Sequence, residues 1–233
     1  MSHSTISESE FADWKARLAE VAKSKYSHFP PRDTQIELVG PRPESFQGTR
    51  EKKEQIKEIL QVQTREIPWI CVEDVEIRID WLINDRERYE SPHTPDLDNI
   101  QKPILDALCG PNGLIIDDCQ VVSITASCIG GWIEGHNRFN VSLILPDIFF
   151  QNYGCILKDN LALVDIKNGL YVPADRRSPN HKTLIENFLL WNKTKNTDQD
   201  EESMMINRFF HKSRVMSFEQ LSADDYLKTF VNR

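Results

Sequence analysis

The strictest pattern in the chain has a period of two. Val75, Ile77, Ile79, Trp81 and Ile83 alternate with polar or less apolar positions through VEIRIDWLIND, which predicts a strand with one covered face. Shorter alternations predict a strand at TQIELVG (34–40), another through Ile124, Ala126 and Cys128, and a last one through Phe139, Val141, Leu143 and Leu145. The last two are joined by the Gly-containing GGWIEGHN and look like a hairpin. Helical spacing appears at Phe11, Trp14, Leu18 and Val21 (9–24), at Ile56, Ile59 and Leu60 (49–62), and at Ile100, Ile104, Ala107 and Leu108 (99–109). Pro103 falls in or just after the first turn of the third helix, where a missing amide hydrogen costs least, and CGPNG supplies the stop. HFPPRD interrupts the chain after the first helix, PRPESFQG is a loop, and RERYESPHTP is a linker.

The order strand, helix, strand, helix, strand, strand over residues 33–147 predicts an α+β fold, a small mixed sheet with helices packed on it. Residues 1–32 form an N-terminal helical extension and 148–233 a C-terminal extension. In the latter, GCILKDNLALVDIKNGLYVP suggests strands and HKTLIENFLLWNK a helix. TKNTDQDEES is a polar acidic linker, and the tail suggests one or two short helices. No repeat or catalytic motif stands out there.

With 233 residues, 39% of them hydrophobic and 27% charged, the chain has a globular composition. No apolar run approaches the roughly 20 residues that cross a bilayer. MSHSTISESEFADWK lacks the basic start and apolar run of a secretion signal, so a soluble cytoplasmic protein is expected, with no membrane partner. Five cysteines, odd in number and without a C-x-x-C pair, suggest reduced, mostly buried thiols rather than a zinc site or a disulfide framework. The six histidines show no ligand spacing. A net charge of −8 argues against a protein that coats nucleic acid, yet it is compatible with acids gathered around metal ions beside a local basic surface. Arg50, Lys52, Lys53 and Lys57 on the second helix suit either a solvated face or a strip along a phosphate backbone.

Two short stretches carry the candidate chemistry. PDLDNIQK puts Asp96, Asp98 and Asn99 at a helix start, and DDCQVV puts Asp117 and Asp118 at a strand start. One acid or Asn at a helix N-terminus is explained by capping and by the helix dipole, worth about 0.3–1 kcal/mol, and a pair of aspartates before a strand suits a plain turn. Two acids and an Asn exceed the capping need. If both stretches meet at one end of the sheet, the repelling carboxylates call for a divalent cation, and magnesium prefers such oxygen ligands. A calcium EF-hand is excluded, because Gln101 stands where its glycine belongs and Ala107 where its glutamate belongs. Lys102, one helical turn after Asp98, either pairs with Asp98 or Asp106 or approaches a scissile phosphate. Spacing leaves both readings open.

DLDNIQKPILDAL followed by GLIIDDCQVV resembles the signature of the RusA family of Holliday-junction endonucleases, D-L-D-N-x-x-K and then D-D-x-Q-V. The resemblance is close over 96–122 and extends over about 33–146. It implies a magnesium-dependent homodimer that nicks branched DNA in pairs at a four-way junction and leaves 5′-phosphate ends. The implied catalytic carboxylates and metal ligands are Asp96, Asp98 and Asp118, with Lys102 as the essential lysine and Asp117, Asn99 and Gln120 in support. Three departures bear on substrate. YESPHTP replaces an arginine-rich stretch and offers only His93 as a cation, the loop between helix and strand is one residue longer, and the chain has extensions at both ends of the core. A flap or fork is therefore an alternative substrate, and a catalytically silent DNA-binding or assembly protein is an alternative from another class.

Overall fold

A computed structural model of the chain describes residues 8–27, 35–41, 49–92, 94–131, 138–144, 154–167, 169–194 and 209–231. The alternating strand is β3 (Val75–Asn84), and it lies inside a four-stranded sheet. On one side β3 pairs antiparallel with β5 (Arg138–Ile144), which pairs antiparallel with β1 (Gln35–Gly40). On the other side it pairs parallel with β4 (Val121–Gly131), so the order is β1-β5-β3-β4. The hairpin expected between β4 and β5 is therefore corrected. β3 lies between them, because β4 reaches its place through a crossover that includes α4 (Gln101–Leu108), as a parallel pairing requires.

The covered face carries Ile36 and Leu38 from β1, Ile77, Ile79 and Trp81 from β3, and Phe139, Val141 and Leu143 from β5, all essentially solvent-free. Three helices supply the other half of this core. α1 (Glu8–Lys25) contributes Ala22, α2 (Arg50–Arg65) contributes Ile56 and Leu60, and α4 contributes Ile104, Ala107 and Leu108. Each large apolar side chain buried this way stabilises the fold by about 1.5–3 kcal/mol. α1 is also tied to its neighbours by polar contacts, Lys15 to Glu58 at 2.6 Å and the Glu37 amide to the Tyr26 hydroxyl at 2.8 Å. Buried Gln63 closes the outer edge of β1, accepting from the Val39 amide and donating to its carbonyl. The predicted α+β class is the one found, with six helices and mixed sheets among the described residues.

Two elements before residue 145 escaped the sequence patterns. β2 (Trp69–Cys71) is three residues long, and α3 (Asp85–Glu90) lies in the stretch expected to be linker. The C-terminal region attaches through β6 (Cys155–Leu157), which pairs antiparallel with β2. It continues into a second sheet of order β10-β7-β8-β9, formed by β7 (Leu161–Lys167), β8 (Leu170–Asp175), β9 (Phe210–His211) and β10 (Gln220–Ser222). α5 (Pro179–Thr194) and α6 (Ala223–Lys228) pack on it through Ile185, Phe188 and Tyr226. Among its described residues the tail thus holds two short strands besides one short α-helix and a 3-10 turn, rather than helices alone. A separate apolar cluster joins Ile70, Val72 and Ile116 to Ile156, Leu163, Tyr171, Phe210 and Val215 of the C-terminal region.

The interruption at 28–34, most of the loop at 41–48, residues 132–137 between β4 and β5, Leu145, His93 and the acidic linker from 195 onward lie outside the described residues. The cysteines are all free, but only Cys71 is buried and Cys119 is exposed, so the expectation of mostly buried thiols is too strong. No helix among the described residues is long and apolar enough to cross a membrane.

Candidate active site

Asp96 and Asp98 lie in the turn before α4, not at its cap. The helix starts at Gln101, its N-cap is Ile100, and no side chain caps it. Neither Asp98 nor Asn99 is spent on capping, which corrects the expectation that the helix begins at Asn99. The start is set by packing: Ile100 is solvent-free and Leu97 packs against the core, while Asp96 and Asp98 on the alternate positions are exposed. The Asn99 amide donates to the Asp96 carbonyl at 3.1 Å and closes the turn.

The chain then folds back sharply after α4. Gly110 takes a φ of 92°, a left-handed conformation that favours glycine after a helix end. A Cβ at Gly113 would overlap the Leu108 carbonyl, which accepts from the amides of both Leu114 and Ile115 at 2.8 and 3.2 Å. Ile115 bridges to Cys71 and Cys109 and so fastens the returning chain beside β2.

Asp117 and Asp118 emerge from this turn into one turn of 3-10 helix, Asp118–Gln120, rather than directly into a strand. Asp117 is its N-cap and accepts from the Cys119 amide at 3.1 Å. Gln120, 1% exposed, returns the contact. Its Oε1 accepts from the amides of Ile116 (2.7 Å) and Asp117 (3.1 Å), and its Nε2 donates to the carbonyls of Cys71 (3.1 Å) and Glu73 (2.8 Å). All the bonding capacity of a buried amide is used. The turn is clamped to the segment between β2 and β3.

Lys102 ties the two stretches together. Its Nζ donates to Asp118 Oδ2 at 2.7 Å and pairs with Asp106 Oδ1 at 2.7 Å. Hydrogen bonds to Asp106 and then Asp118 push its pKa up, so it is firmly cationic. The pairing expected with Asp106 is present, and Asp118 takes the place of Asp98. A second cation, Arg214, comes from the C-terminal region. Its guanidinium bonds Asp117 Oδ1 and lies 3.8 Å from Asp118 Oδ1. Burial opposes the charge on Asp117, but its bonds from Cys119 and Arg214 outweigh that and hold its carboxyl below the usual range.

The structure therefore brings Asp117, Asp118, Lys102 and Gln120 into one network, with Asp96, Asp98 and Asn99 on the turn that leads to Lys102. Among the described residues no three potential ligand side chains are gathered as a ready metal site. The donor chemistry nevertheless fits a hard cation, since Asp96 and Asp98 are exposed and uncommitted to capping. The neighbouring thiols are held in the neutral form by their surroundings. Cys109 is pushed up to about 12 by burial and then by the charge of Asp118, and Cys119 up to about 11 by burial and then by Asp117.

Exposed carboxylates beside a fixed lysine, on a small mixed sheet, suit an enzyme that hydrolyses phosphate esters. Comparison with family models gives the more particular result: residues 2–143 match endodeoxyribonuclease RusA, and the chain belongs to that family of DNA-cutting enzymes. No curated protein matches the chain. The match takes in the segment of α1, which sequence reading set outside the family core, in keeping with the place of Ala22 in the main core. Arg214 falls beyond the match. Sequence reasoning missed it because no motif surrounds it, and the only signal was the unneutralised charge of the aspartate pair.

Proposed function

We propose that the protein is a magnesium-dependent endonuclease that resolves four-way DNA junctions by paired nicks, leaving 5′-phosphate ends, and acts in the cytoplasm in recombination or repair. The observation that carries the reading is the Lys102–Asp118 contact, which links the turn bearing Asp96 and Asp98 to the turn bearing Asp118. In this reading Asp96, Asp98 and Asp118 are the catalytic carboxylates that hold Mg²⁺. When bound, the ion neutralises phosphate charge and makes water a better nucleophile at neutral pH.

The chain's own groups do the rest. Lys102 keeps its proton and sets a positive charge beside Asp118, where it stabilises the negative charge that builds on the phosphoryl oxygens as water attacks. The bond from phosphorus to the 3′ oxygen breaks, and the phosphate remains on the 5′ end. Asp117 and Gln120 hold Asp118 in position through the cap and the buried amide. A homodimer matches the approximate two-fold symmetry of a junction and gives one site per nick. β4 ends its sheet with an outer edge unpaired among the described residues, and it also bears exposed Val122 and Ile129, which supports such self-association.

A second reading, cleavage of a flap or fork, is favoured by the acidic net charge and by the absence of Lys or Arg from YESPHTP. The test is a panel of labelled junction, flap, fork and linear duplex of shared sequence, with and without Mg²⁺, beside Asp98→Asn. Paired magnesium-dependent nicks in the junction alone support resolution, and preferential flap or fork cutting supports the second reading. Binding without any cutting would mark a silent DNA-binding protein.

A further inference from the structure

We infer that Arg214 is a substrate-phosphate ligand, by which the C-terminal region completes the nuclease site. The inference rests on the functional reading above and extends it to a residue outside the family match.

Arg214 is delivered by a built support. It ends a short 3-10 turn, Lys212–Arg214, whose N-cap His211 accepts from the Ser213 amide. The next residue, Val215, is solvent-free in the cluster that holds Ile116, directly before the aspartate pair. Phe210, on the other side of the turn, is buried in the same cluster. The backbone around Arg214 is thus anchored on both sides to the floor beneath Asp117, and its position is not that of a free surface arginine.

The guanidinium is held but not used up. One nitrogen bonds Asp117 and approaches Asp118, while 44% of the side chain remains exposed. A guanidinium has five N–H donors in a planar fork suited to phosphate, so several remain for an incoming ligand. Lys102, the other cation of the network, already serves Asp106 and Asp118. YESPHTP, upstream of the aspartates, contains no Lys or Arg. The backbone of a DNA strand laid across this site therefore finds in Arg214 a cation with open donors beside the carboxylates. Asp117 orients it, as a carboxylate orients an arginine that must meet a second anion.

The test separates a phosphate contact from a structural clamp. Junction binding by Asp98→Asn is followed by fluorescence anisotropy in EDTA over a series of monovalent salt concentrations. The same series is run with Arg214→Gln and Arg214→Lys added. A lost phosphate contact lowers the slope of log affinity against log salt by about 0.9 and weakens binding about 8-fold at 0.1 M salt. The expected result is that loss for Arg214→Gln, with most of the slope kept by Arg214→Lys, which retains the charge. An unchanged slope in Arg214→Gln overturns the inference, whatever happens to stability. Tighter DNA binding in Arg214→Gln also overturns it, and would mark Arg214 as a plug on the carboxylates. If the Asp98→Asn parent binds no branched DNA, the functional reading fails and this inference falls with it. A parent that binds with no effect at Arg214 sinks this inference alone.

Discussion

Replacing Gln120 by Leu keeps the volume of the side chain and removes all four of its hydrogen bonds. Two amides, of Ile116 and Asp117, and two carbonyls, of Cys71 and Glu73, lose the partner that Gln120 gave them in a site where the side chain is 1% exposed. At about 1 kcal/mol net for each bond the loss is about 4 kcal/mol. For a chain of this size that corresponds to a fall in Tm of about 8–16 °C. Urea unfolding followed by circular dichroism reads the free energy, and thermal melts read the shift. Gln120→Glu separates bonding from packing, because its carboxylate keeps the acceptors but cannot donate to Cys71 and Glu73 until protonated. Its deficit against wild type should shrink as pH is lowered toward 5. A Gln120→Leu protein melting within about 2 °C of wild type, a loss of no more than about 1 kcal/mol, would refute the clamp.

Burial pushes Lys158 down to about 8, while its Nζ donates to the Thr64 carbonyl at 2.6 Å. Because the folded value lies below the ordinary 10.5, wild type should gain about 2 kcal/mol on Lys158→Met between pH 7 and pH 10, and a pH-independent difference in unfolding free energy would contradict this. Burial likewise lowers the pKa of His181, whose Nδ1 accepts from the Asp175 amide at 2.7 Å. The folded form resists protonation, so its contribution is full above pH 6.5 and is lost as pH falls below that; His181→Gln should flatten the decline in Tm toward pH 5, and parallel declines would rule the effect out. Trp81→Ala, in the solvent-free layer of β3, should cost about 3–5 kcal/mol in urea unfolding, against less than about 1 kcal/mol for Val122→Ala at an exposed position of β4. Equal costs would mean that the covered face is misassigned.

Much of the fold was legible because one-sided burial imprints a period. β3 alternates strictly between covered and open positions, and α2 and α4 each keep an apolar edge, so their presence and extent could be read within a few residues. Adjacency could not. β4 and β5 are neighbours in sequence, but nothing in their local pattern says that β3 lies between them. α3, sequence DRERYE, buries no residue and so leaves no hydrophobic trace. At the site, the aspartates and Lys102 announce themselves by excess charge at fixed spacing. The role of Gln120 depends on two carbonyls some 47 and 49 residues away, and that of Arg214 on a partner 97 residues away. Such contacts exist only once the chain has folded.

The most direct measurement is the single-turnover rate of junction cleavage by Asp118→Asn and Lys102→Met beside wild type, with junction affinity measured in parallel. If the two turns form one catalytic site, each variant loses about 100-fold or more in rate while binding stays within a few-fold of wild type. Cleavage by Asp118→Asn at the wild-type rate would contradict the account, because the contact between Lys102 and Asp118 would then have no part in the chemistry.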